Sequence, residues 1–132
     1  MHPYLRAYLA GIALPTMVIP LILVVLMVTR PTTHDFHIED VVIFPLSLVP
    51  NAWGLWNMLY VWIRRRRQIN AGIYGALLVV AIVPLAFGVQ FALGKFLWTP
   101  ELFAIGFPVA LVGYYLAWKF VVSGINDILG VG

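Results

Sequence analysis

The sequence predicts an all-α integral membrane protein: a single domain over residues 1–132, built from four transmembrane helices in an antiparallel bundle with both termini cytoplasmic. Three observations lead there. Hydrophobic residues fill 63% of the 132 positions and charged residues only 10%. Soluble domains carry about 25% charged residues, so this chain has too little polar surface to cover a soluble globule. Second, four apolar runs reach the roughly 20 residues that cross a bilayer as a helix. They lie at about 7–29, 41–63, 69–94 and 102–123, the last extending past 118 only if Lys119 snorkels to the interface. Third, the arginine run "RRRRQ" at 64–68 abuts the end of the second apolar run.

The first run is too long for a signal-peptide core, and no small-residue cleavage pattern follows it before Arg30, so it reads as a retained span. Pro15 and Pro20 fall inside it. Each proline removes an amide donor and leaves a carbonyl for another group to satisfy. The same holds for Pro45 and Pro50 in the second run, Pro84 in the third and Pro108 in the fourth, although Pro45 in a first helical turn would cost nothing.

The outer loop, 30–40, reads "RPTTHDFHIED" and gathers two histidines and three carboxylates. His34, His37 and Glu39 are candidate zinc ligands. The loop has neither paired half-sites nor an HExxH helix, the patterns that mark strong zinc sites. A capping reading competes: Thr32 and Asp35 fit the S/T-x-x-D/E spacing, and acidic residues complement the positive end of a helix dipole. No cofactor is expected beyond that zinc alternative. With no cysteine in the chain, disulfides, thiolate metal sites and thiol catalysis are excluded.

In the second run, "FPLSLVPNAWGLWNML" places Ser47, Asn51, Gly54 and Asn57 on one helical face at steps of three and four. With Gln90 of the third run they form a polar intramembrane stripe. Amides at such positions commonly bond neighbouring helices. The alternative is a path for an uncharged or weakly polar solute, as in a small transporter or channel.

Four arginines resist translocation, which makes the 64–68 loop cytoplasmic. Arg6, Arg64 to Arg67 and Lys119 then fall inside, while Asp35, Glu39, Asp40 and Glu101 fall outside with Arg30 and Lys95. The predicted location is the cytoplasmic (inner) membrane, multi-pass. The net charge of +3 originates in that arginine run. Its position against hydrocarbon points to anionic lipid head groups as the partner of Arg64, Arg65, Arg66 and Arg67, and away from nucleic acid.

In the fourth run Gly106, Ala110, Gly113 and Ala117 recur at steps of four, three and four, the spacing of a helix-packing face. Its expected use is within the bundle, with contact to another chain as the alternative. Gly72 with Ala76 and Gly88 with Ala92 form similar patches in the third run. No acidic residue, histidine or arginine lies deep in a span. Ion-coupled transporters and membrane haem proteins keep such groups there. The expectation is a non-enzymatic protein acting through helix contacts, as an accessory or assembly subunit or a homo-oligomer. A metal or pH sensor in the outer loop is a further alternative.

Overall fold

The computed structural model describes residues 1–29, 47–94 and 100–131, and every regular element among them is helical. Helix α1 is Pro3–Thr29, α2 is Leu48–Arg64, α3 is Ala71–Leu93 and α4 is Pro100–Leu116. A π-helical segment, Ala117–Val122, carries α4 without a break into α5, Ser123–Ile128. Among the described residues three helices are long and apolar enough to cross a membrane: Pro3–Thr29, Ala71–Leu93 and Phe103–Ile128. At 1.5 Å per residue α1 measures about 40 Å, against about 30 Å of hydrocarbon. The 17 described residues of α2 reach only about 26 Å. The predicted start of the second span, 41–46, lies outside the described residues.

Two boundaries differ from the sequence expectation. Helix α1 begins ahead of residue 7 because Pro3 suits a first helical position, where no amide donor is needed. The His2 carbonyl accepts from the amides of Leu5 and Arg6 at 3.0 and 3.2 Å. The fourth helix does not stop at 123. Hydropathy falls there, yet the helix continues because Asn126 is buried against α1 and α2 rather than facing lipid.

Local chemistry sets the ends of α3. The side chain of Asn70 accepts from the Gly72 amide at 2.9 Å, which caps the start. Gly94 closes the other end at φ 65°, the left-handed conformation that glycine enters without penalty.

The helices associate as two close pairs, α1 with α2 and α3 with α4, joined mainly at one end. Tyr4 meets Arg65, Ala7 meets Asn57 and Gly11 meets Gly54, so α1 and α2 run antiparallel. They touch backbone to backbone. A Cβ on Gly11 would lie 2.5 Å from the Trp53 carbonyl oxygen and 2.9 Å from the Gly54 Cα. In α3, Gly72 receives the Tyr115 ring and Gly75 receives the Trp118 indole. Phe87 against Phe103, with centroids 5.8 Å apart, marks the far end of the α3–α4 contact. Lipid tails are as apolar as leucine, so this close fit supplies dispersion contacts that drive membrane helices together.

The core sits at the end that holds the start of α1, the end of α2, the start of α3 and α5. Ala7, Tyr60, Val61, Tyr74, Leu78, Trp118 and Val122 are buried there. Beyond Pro15 no side chain of α1 with a described environment is buried, and Met17, Leu21 and Val28 are all widely exposed.

Candidate functional site

The buried polar chemistry centres on two asparagines 69 positions apart. Asn57 of α2 and Asn126 of α5 are both fully buried. Asn57 Nδ2 donates to Asn126 Oδ1 at 2.8 Å, and Asn126 Nδ2 donates back to Asn57 Oδ1 at 2.9 Å. The second Nδ2 hydrogen of Asn57 reaches the Ala7 carbonyl oxygen at 2.7 Å. One amide therefore ties three helices. Nearby, Arg6 donates to the Leu129 carbonyl oxygen at 3.4 Å, which brings the two ends of the chain to the same end of the molecule.

The π segment brings Asn126 to this position. A π turn holds more residues than an α turn and rotates everything after it. Trp118, Val122 and Asn126, spaced four apart, all come to face the core. Around Trp118 lies an aromatic cluster. Trp53, Tyr60 and Tyr74 have ring centroids 5.7, 6.0 and 5.9 Å from it, and Tyr114 meets Trp53 edge-on at 4.7 Å. Trp56 adds a bond between helices, its Nε1 donating to the Tyr74 carbonyl oxygen at 2.9 Å.

The predicted polar stripe divides. Asn51 accepts from the Tyr8 hydroxyl and donates through Nδ2 to the Ser47 carbonyl oxygen at 2.6 Å. Asn57 forms the clasp just described, and Gly54 between them lies under Tyr8 and Ile12. This face of α2 thus turns toward α1. Ser47 is exposed and Gln90 of α3 is buried, and neither takes part in the Asn57–Asn126 clasp.

The predicted packing face of α4 differs from expectation. Gly106, Ala110 and Ala117 are half-buried, but Gly113 is exposed, and a Cβ built on it would meet nothing within 4 Å. Gly88 of α3 is equally open. Contacts inside the monomer fall instead on Gly11, Gly54, Gly72 and Gly75, where a ring or backbone fills the space. The bulk of Trp118 and Tyr115 turns the α4 contact toward α3, leaving Gly113 uncovered.

Arg64, Arg65, Arg66 and Arg67 are exposed at the end of α2. Arg64 lies over the Tyr60 ring at 5.9 Å, Arg65 over Tyr4 at 5.4 Å and Arg66 over Trp62 at 4.6 Å. Lys119 sits 5.5 and 5.4 Å above the rings of Tyr115 and Phe120. His34, His37 and Glu39 lie outside the described residues.

Sequence reasoning missed Asn126, Trp118, Gly11 and Gly75. Asn126 follows the last apolar run, where a polar residue reads as solvent-facing. In α3 the Gly72–Ala76 patch marked the right end of the helix, and the three-residue spacing of Gly72 and Gly75 could have added Gly75. No protein-family model, curated protein or solved structure matches the chain.

Proposed function

We propose that this chain is a four-span protein of the cytoplasmic (inner) membrane, an antiparallel bundle with both termini cytoplasmic. On this reading it is not an enzyme. It acts through helix contacts, as an accessory or assembly subunit of a membrane complex or as a homo-oligomer. The supporting observation is a division of labour among its residues. Asn51 and Asn57 are engaged with α1, while Gly113 and Gly88 stay open on the outside. Small uncovered residues allow another helix to approach at backbone distance.

Native mass spectrometry after extraction in a gentle detergent tests this directly. The expected result is a mass above that of one chain, from a second copy or a co-purifying membrane partner. A strictly monomeric protein with no partner overturns the reading.

Orientation has its own test, simplified by the absence of native cysteine. Thr33→Cys should react with an impermeant maleimide in intact spheroplasts, and Gln68→Cys only after permeabilisation. The opposite pattern would reverse the proposed topology.

A further inference from the structure

The basic end of α2 lies against aromatic rings. Three of its four arginines lie over aromatic rings, and two of those rings differ in setting: Tyr60 is buried, whereas Trp62 is 42% exposed. Arg65 crosses to Tyr4 at the start of α1, so its position depends on two helices. Among the described residues Arg67 stacks on no ring, and no carboxylate pairs with any of the four. Aromatic side chains favour the depth where hydrocarbon meets head groups. A guanidinium set over such a ring still has N–H groups to offer, is only weakly hydrated and matches a phosphate.

We propose that Arg65 and Arg66, backed by Tyr4 and Trp62, form a binding surface for the phosphates of anionic phospholipid head groups. Trp62 would lie against the upper acyl chain while Arg66 holds the phosphate above it. This rests on the reading that the 64–68 loop sits at a membrane face, and it narrows the head-group contact expected of all four arginines to the two seated on Tyr4 and Trp62.

The test titrates the detergent-extracted full chain with phosphatidylglycerol or phosphatidylcholine and counts retained lipids by native mass spectrometry. Phosphatidylglycerol should be retained in preference. Arg67→Ala removes one charge and should weaken retention about fivefold, the general contribution of a basic residue near anionic lipid. Arg66→Ala removes the same charge together with the seated fork and should weaken retention about tenfold further. Arg66→Lys should fall between wild type and Arg66→Ala. Equal losses for Arg66→Ala and Arg67→Ala would overturn the proposal, as would equal retention of the two lipids or displacement of the lipid by millimolar inorganic phosphate. The maleimide labelling separates the two levels: equal losses with Gln68→Cys labelled only after permeabilisation sink this surface alone. Labelling of Gln68→Cys in intact spheroplasts sinks the topology.

Discussion

Replacing Gly75 by leucine is expected to cost about 3 kcal/mol, lowering the melting midpoint in detergent and freeing α3 from the π segment. The new Cβ would overlap the indole of Trp118, which is fully buried and in ring contact with Trp53, Tyr60 and Tyr74. An overlap with the far end of a flexible chain could be relieved by a rotamer change. Here it falls at Cβ and Cγ of Trp118, close to the backbone, so the helices must separate. Overpacking of well-filled sites typically costs 1–3 kcal/mol, and a side chain as large as leucine belongs at the upper end. The control is Gly113→Leu, the same chemical change where nothing lies within 4 Å. It should hold stability within about 0.5 kcal/mol, since leucine also favours the helix. Tryptophan-fluorescence melting of both variants checks this, and equal destabilisation would mean that Gly75 is not at a close crossing.

Asn57→Ala should be nearly as damaging. It removes three hydrogen bonds at once. Bonds between membrane helices average about 0.6 kcal/mol, so the three together contribute about 2 kcal/mol. The Asn126 amide is then left buried without its partner, which costs more. The Ala7 carbonyl suffers least because α1's own hydrogen bonding still reaches it. Asn126→Ala should cost less than Asn57→Ala, since Asn57 keeps its bond to α1. In the double variant the losses should fall short of additive by about 1 kcal/mol, the signature of a contacting pair. Additive losses in chemical or thermal unfolding would show that the two amides do not meet.

Much of the helical layout was readable in the sequence because helix formation in lipid is dictated by hydropathy and length. The runs at 7–29 and 69–94 correspond closely to α1 and α3. Steps of three and four also put Asn51, Gly54 and Asn57 on one face, and that face meets α1. The partners were not readable. Helical spacing shows which small residues can be approached but not which ring fills the gap, so Gly113 was selected by its periodicity while Gly75 receives the tryptophan. The π segment shifts the register after 117, so that Trp118, Val122 and Asn126 line up more closely than an α-helical count gives, but their polar member follows the last apolar run and was not read as part of a buried face. The candidate ligands His34, His37 and Glu39 belong to a segment outside the described residues, and their chemistry rests on spacing alone.

Asn51, Asn57 and Asn126 are engaged inside the chain, and an outer face of α4 is left with room at Gly113. On the proposed function another helix covers that face. Native mass spectrometry of the wild type and Gly113→Leu, extracted side by side in the same gentle detergent, tests this. The expected result is a complex for the wild type, and dissociation to a single chain in the variant with an unchanged melting midpoint. A wild type recovered only as a single chain with bound lipid would contradict it.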